Sequence, residues 1–214
     1  IYKNKSMIKQ KICIIGGNLT GLVTAISLSK LHCQIDLISE NSTQSTSSNR
    51  TIAISENNFE FLKKLNISKT LKSNVWTCSA MKLYTGSNNK KFLKLLELNN
   101  ENKIKKIFYI FESSKIIKLM INKIKRIESI KFKKNKKVVS IYDSGLLKGV
   151  KYGGSVSKYN LVIICGGYNS NLVKKIFYNQ SIINSYKEFA ITTILTHSLS
   201  KNNIAKQIFL EDEI

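Results

Sequence analysis

Gly16-Gly17-Asn18-Leu19-Thr20-Gly21 is the segment of this 214-residue chain whose residue types and spacing point most directly to chemistry. An apolar run, Ile12-Cys13-Ile14-Ile15, precedes it. An amphipathic stretch follows, then a second apolar run (Ile35, Leu37, Ile38) that closes on Ser39-Glu40. That order predicts strand, glycine turn, helix, strand. A helix starting directly behind such a turn aims its free N–H groups at the space in front of it, where a diphosphate satisfies them. An acid after the second strand accepts from ribose hydroxyls. The segment therefore reads as a dinucleotide-binding βαβ unit, with a purely structural turn as the alternative. Gly21 and Ala25, one helical turn apart, let the helix lie close on the strand. Asn18 stands where G-x-G-x-x-G has its second glycine. Asparagine tolerates left-handed backbone better than most residues, but its side chain is expected to crowd an approaching diphosphate. The usual carboxylate position falls on Ser39, with Glu40 one residue later.

Other candidates are fewer. Arg50 is one of two arginines in a chain whose remaining bases are lysines, and it sits in front of the apolar run Thr51-Ile52-Ala53-Ile54-Ser55. A guanidinium there suits bidentate contact to phosphate; an ion pair anchoring a loop is the alternative. A second strand-and-glycine turn, Tyr159 through Gly166-Gly167, precedes the helical stretch 171–177, which Asn169-Ser170 can cap. His32 and His197 have no paired ligands nearby in sequence, and neither a metal set nor a Ser-His-Asp arrangement is visible, so no catalytic residue is assigned. Trp76 and Tyr84 suit either a substrate pocket or the core. Glu112 favours a helix dipole. Cys13, Cys33, Cys78 and Cys165 show no C-x-x-C spacing and read as reduced thiols of a cytoplasmic protein.

The elements that must position these residues follow from periodicity. Ser55 can cap a helix carrying Phe59, Phe61, Leu62 and Leu65. Segments 80–85 and 91–98 alternate as a hairpin about Gly86-Ser87-Asn88-Asn89. Ser113-Ser114 can cap a helix with an apolar face of Ile116, Ile117, Met120, Ile121 and Ile124. Segments 127–132 and 137–142 read as a strand pair, with the basic run Lys131 to Lys137 at its tip. Segments 189–199 and 204–210 read as long strands. Residues 41–49, rich in Ser and Thr, read as a loop.

A formal net charge of +22 invites a nucleic-acid reading. Its lysines are scattered rather than striped, and proline is absent while Ile, Asn and Lys abound, as an AT-rich coding sequence produces. A solvated surface is the expectation, with no nucleic-acid partner; anionic lipid headgroups stay open as an attraction. No run of about 18 apolar residues predicts a membrane-spanning helix, and the start lacks the apolar core of a signal peptide. Met7, just ahead of the first strand, looks like a natural initiator.

With both glycine turns in view, the chain resembles the FAD-dependent hydroxylases of ubiquinone biosynthesis, of the para-hydroxybenzoate-hydroxylase-like fold. Three segments carry the likeness: Gly16 to Gly21; Ser48-Asn49-Arg50-Thr51-Ile52-Ala53-Ile54-Ser55, similar to the family's D-x-R-x-x-A-[LI]-S; and Val162 to Val173, similar to its G-A-D-G-x-x-S-x-V-R segment. The resemblance implies an α/β fold, with a Rossmann-like FAD-binding βαβ domain and an interleaved, incomplete β-sheet substrate domain. Residues 7–70 and 105–178 would form the first, and 71–104 and 179–214 the second. It implies a monooxygenase in which NAD(P)H reduces FAD and O2 supplies the oxygen passed to the electron-rich ring of a polyprenylated phenol. Gly16, Gly17, Asn18 and Gly21 would hold the diphosphate, Ser39 or Glu40 the ribose, and Arg50 the isoalloxazine side, with Gly166 and Gly167 beside the flavin. The family's aspartate and arginine in the third segment fall on Gly166 and Val173, and its later G-D motif lies beyond Ile214. The expectation is therefore a truncated hydroxylase, with a non-catalytic remnant acting as a binding module as the alternative. The resemblance also brings cytoplasmic location, or the periphery of the inner membrane, and other proteins of the pathway as partners.

Overall fold

A computed structural model describes residues 10–40, 50–67, 75–86, 91–99, 105–167, 170–178, 189, 191, 193, 198 and 202–210. The chain divides into two compact units, Ile1–Ser48 with Ile116–Ile191, and Asn49–Lys115 with Thr192–Ile214.

The first unit opens with β1 (Gln10–Ile15), α1 (Leu19–Leu28) and β2 (Cys33–Ile38), the two strands pairing in parallel from Gln10↔Cys33 to Ile15↔Ile38. Each strand is apolar at four of its six positions, Ile12–Ile15 in β1 and Cys33, Ile35, Leu37 and Ile38 in β2, and these are buried because both faces of the sheet are covered. Helix α1 packs Leu22, Ala25 and Ile26 on one side. A three-stranded antiparallel sheet covers the other. It comprises β9 (Val138–Ser144), β10 (Leu147–Tyr152) and β11 (Ser155–Tyr159), and its Val150, Tyr152 and Tyr159 close over Cys13, Ile15 and Ile38. β8 (Ile130–Lys133) and β12 (Leu161–Ile164) complete the parallel sheet in the order β12-β1-β2-β8. Helix α3 (Ser113–Ile124), most of which belongs to this unit, buries Ile116, Ile117, Met120 and Ile124 as its periodicity predicts. Helix α4 (Asn171–Ile176) follows β12. Ser170 takes its N-cap position without a side-chain bond, and Asn169 lies outside the described residues.

One strand assignment is corrected. Segments 127–132 and 137–142 are not a hairpin: β8 pairs in parallel with β2, whereas β9 pairs with β10 in the other sheet. The chain changes sheets at Asn135, whose φ of 53° is left-handed and suits asparagine. The basic run is thus a crossover and not a hairpin tip.

In the second unit, β3 (Thr51–Ser55), β7 (Phe108–Glu112) and β4 (Val75–Cys78) form one antiparallel sheet. Helix α2 (Glu56–Lys64) packs on β3 and β7 and is capped by Ser55, whose Oγ accepts from Asn58 N at 3.4 Å. Phe59 stacks on Tyr109 with ring centroids 3.9 Å apart. Tyr109 donates to Glu56 at 3.1 Å; burial first and this acidic partner second push its hydroxyl up to about 12. β5 (Ala80–Gly86) and β6 (Leu93–Asn99) form the expected hairpin strands; Gly86 ends β5, and residues 87–90 lie outside the described set. β13 (Ile204–Leu210) pairs with β5 in parallel. Of the strand expected over 189–199, only Phe189, Ile191, Thr193 and Ser198 are described, and none of them is in a strand. Trp76 donates from its indole to Asn202 O at 2.8 Å, which fixes it as a structural anchor within this unit.

Candidate functional site

At the carboxyl ends of β1 and β2, the turn Gly16–Gly17–Asn18 meets the start of α1. The space in front of it is a cleft of about 1050 Å3, lined by Gly16, Gly17 and Asn18 on one side and by Ser39 and Glu40 on another. Gly16 has φ +122°, a backbone that side chains rarely adopt, and a Cβ on it would collide with the carbonyl of Cys165 at the end of β12. Gly17 is pressed against Ser39, and Gly21 against the Gly16 carbonyl oxygen. These three positions need glycine because two strand ends and a helix converge on one turn.

Asn18 does not act as its sequence position suggests. Its backbone is extended (φ −80°, ψ −179°), so left-handed tolerance plays no part. Its side chain turns back into the protein: Oδ1 accepts from Gly21 N at 3.1 Å, capping α1, and Nδ2 donates to Cys165 O at 2.6 Å. One amide thus ties the β1 turn to the end of β12, 147 residues away. A side chain so engaged is held out of the path of a diphosphate. The first N–H groups of a helix have no intrahelical acceptor, and Asn18 takes only that of Gly21, so the groups ahead of it remain for a ligand.

Replacing Asn18 by alanine removes a cap worth about 1 kcal/mol and a part-buried hydrogen bond worth about another 1 kcal/mol. Urea unfolding of Asn18→Ala should show a loss of about 2 kcal/mol, with Asn18→Ser, which keeps the cap alone, recovering roughly half. An Asn18→Ala midpoint equal to the parent's would mean that neither bond matters.

Ser39 is buried, and its backbone bonds in both directions. Its N–H donates to Lys133 O at 3.0 Å and its carbonyl accepts from Lys136 N at 2.9 Å. Those two bonds staple the sheet-changing segment to the end of β2 and bring Lys136 and Lys137 to the cleft. Glu40, exposed at the rim, pairs with Lys137 at 3.4 Å, a contact worth little in water. Lys174 and Lys175 reach the cleft from α4. Sequence reading missed all four lysines; the one available signal was Asn135, a turn former directly ahead of Lys136-Lys137.

Gly166 also lines the cleft, and a Cβ there would lie 2.8 Å from Ser170 Cβ and Oγ, so an aspartate at this position requires Ser170 to move. Gly167 has φ +71° with open space around it. Arg50 stands ahead of β3 in the second unit, where its carbonyl accepts from Ser113 N at 2.8 Å. His32 is exposed, and His197 lies outside the described residues. Among the described residues no helix is long and apolar enough to cross a membrane.

No family model matches the chain, and no curated protein matches it. Solved structures do. The p-nitrophenol 4-monooxygenase PnpA from Pseudomonas putida DLL-E4 is similar at TM-score 0.65 and 15% identity, over 79% of this chain and 43% of that one. A variant of 2-methyl-3-hydroxypyridine-5-carboxylic acid oxygenase is similar at TM-score 0.64 and 16% identity, over 79% and 42%. CtdE in complex with FAD is similar at TM-score 0.60 and 15% identity, over 78% and 41%. The likeness is one of fold. This chain spans less than half the length of each, and its mixed α/β architecture with several sheets is the one they share.

One buried polar cluster lies away from the cleft and escaped sequence reading. Its centre, Asp36 on β2, is only 4% exposed. Lys133 Nζ donates to it at 2.8 Å, Tyr159 OH at 2.7 Å, and Lys11 stands 3.7 Å away. Burial pushes its carboxyl up, but the two hydrogen bonds and the two ammonium charges outweigh that and hold it below the ordinary range. Lys133 also donates to Tyr152, which bonds Ser157 at 3.1 Å. Burial dominates at neighbouring Cys13, whose thiol is pushed up to about 12, which disfavours the thiolate.

Proposed function

We propose that this chain binds FAD and acts as an aromatic-ring monooxygenase of ubiquinone biosynthesis, using NAD(P)H and O2. The observation that carries the reading is the cleft itself: a glycine turn and helix start at the ends of parallel strands, with an acid at its rim and four lysines around it. Its residues fit the adenine-diphosphate part of the cofactor. The early N–H groups of α1 take the diphosphate, Lys136, Lys137, Lys174 and Lys175 neutralise it, and exposed Glu40 rather than buried Ser39 accepts from the ribose. Gly16, Gly17 and Gly21 keep the turn tight enough for backbone approach. Gly166 and Gly167 would border the flavin, and Arg50 its isoalloxazine side, on the family resemblance alone. Bound flavin supplies the redox chemistry and oxygen transfer; the protein binds it, orients the ring and excludes water. A polyprenylated phenol as substrate places the protein at the inner-membrane periphery, with the exposed leucines Leu93, Leu96 and Leu98 beside Lys91 and Lys94 as supporting features.

Titrating purified protein into FAD tests the reading. Quenching of flavin fluorescence with micromolar affinity is expected, weakened several-fold in Lys174→Ala/Lys175→Ala, and less so as salt rises. No uptake at high micromolar FAD would remove it. A second reading, a binding module without turnover, is favoured by Gly166, which supplies no carboxylate and leaves little room for one. FAD binding without phenol-dependent NAD(P)H oxidation selects it.

A further inference from the structure

The first unit has a second cleft, of about 640 Å3, lined by Lys11 of β1, Gln34 and Asp36 of β2, and Lys131 and Lys133 of β8. It shares no lining residue with the cleft at the glycine turn. Strand pairing builds it: Gln34 lies beside Lys11, and Lys131 beside Asp36. Arg126 and Ser129, from the turn between α3 and β8, close its other side.

The charges are unequal. Lys11, Arg126, Lys131 and Lys133 face the cleft against two carboxylates, Asp36 and Glu128. Asp36 is already shared between Lys133 and Lys11 and holds a hydrogen bond from Tyr159, so it cannot neutralise the outer cations as well. Its lowered pKa reports the same positive surroundings. Arg126 and Lys131 are both exposed, and the only other arginine, Arg50, is in the other unit. A guanidinium fork matches two phosphoryl oxygens, a lysine adds a point charge, and a serine hydroxyl and a glutamine amide add neutral donors.

We propose that this cleft is a second anion site, which binds the phosphoryl group of a small phosphorylated molecule. Its volume admits anything from inorganic diphosphate to a mononucleotide. The site is independent of the FAD reading, because it shares no lining residue with the cleft at the glycine turn.

Titration of the nitrogen-15-labelled protein with diphosphate and with AMP, followed by amide NMR, tests it. Saturable shifts at Gln34, Ser129 and Lys131 are expected in the millimolar range or below. Arg126→Ala/Lys131→Ala, two exposed positions, should weaken them about tenfold, while Lys174→Ala/Lys175→Ala in the other cleft leaves them intact. Tighter binding of AMP than of diphosphate would identify a nucleotide as the source of the phosphoryl group; equal or weaker binding, a bare phosphate. Shifts confined to Gly17, Glu40 and Lys174, a non-saturating drift matched by sodium chloride at equal ionic strength, or an unchanged Arg126→Ala/Lys131→Ala titration would each overturn the proposal.

Discussion

Gly21→Ala should destabilise the protein by about 2 kcal/mol and weaken FAD binding at least tenfold, although alanine is the better helix former by about 1 kcal/mol. The sign is set by a steric collision. A Cβ on Gly21 would fall within the Gly16 carbonyl oxygen's van der Waals envelope, and that oxygen belongs to backbone that cannot rotate aside. Either α1 lifts from β1 or the turn opens. Overpacking of this kind typically costs about 1–3 kcal/mol, and a backbone partner puts the cost at or above the top of that range, more than the helical gain. Gly145→Ala is the control. Gly145 has φ +64° but open space around it, so only strain of about 1 kcal/mol applies and FAD affinity should not change. Urea midpoints and flavin quenching on both variants check the pair. A Gly21→Ala protein as stable as its parent would show that α1 does not sit as closely as described.

Lys133→Met should have the largest effect on folding, about 3 kcal/mol at neutral pH. Removing one partner of a buried ion pair typically costs about 3–5 kcal/mol; here Lys11 at 3.7 Å and Tyr159 at 2.7 Å still serve Asp36, which places the loss at the lower end. The pH dependence follows from the carboxyl. Its folded pKa is depressed, so its contribution is full above the unfolded value of about 4 and is lost as pH falls through the folded value. Lys133→Met raises that folded value and should move the acid-unfolding midpoint upward. Adding Asp36→Asn should restore part of the stability and flatten the acid response, since no buried charge is then left unpaired. An acid midpoint that stays put in Lys133→Met would show that the pair does not carry the acid response.

Much of the framework was legible because it is local. The β1–turn–α1–β2 order follows from Ile12–Ile15, the glycines and Ile35–Ile38; the Ser55 cap and the 80–98 hairpin follow from spacing within a few residues. What failed was long-range. Asp36 reads as a polar position in an alternating strand, and its partners Lys133 and Tyr159 lie 97 and 123 residues further on. The two segments flanking Asn135 have equal claim to pair with each other; only the left-handed Asn135 separates them into different sheets. Asn18 was misjudged through its motif. Its three-residue spacing to Gly21 is that of a helix cap, and a glycine template hides that signal.

The bond from Asn18 to Cys165, with the Ile15↔Ile164 pairing beside it, has a consequence for biogenesis. The glycine turn is held by a strand end made some 147 residues later. Long-range closures of this kind form late and slowly. On the ribosome, β1, α1 and β2 would emerge early with one edge of β1 open and the helix cap half-anchored, and they would gain their final geometry only once β12 had left the tunnel. If the proposed flavin binding holds, flavin capture should coincide with completion of the sheet, and the cleft would double as a checkpoint on whether the first unit has closed.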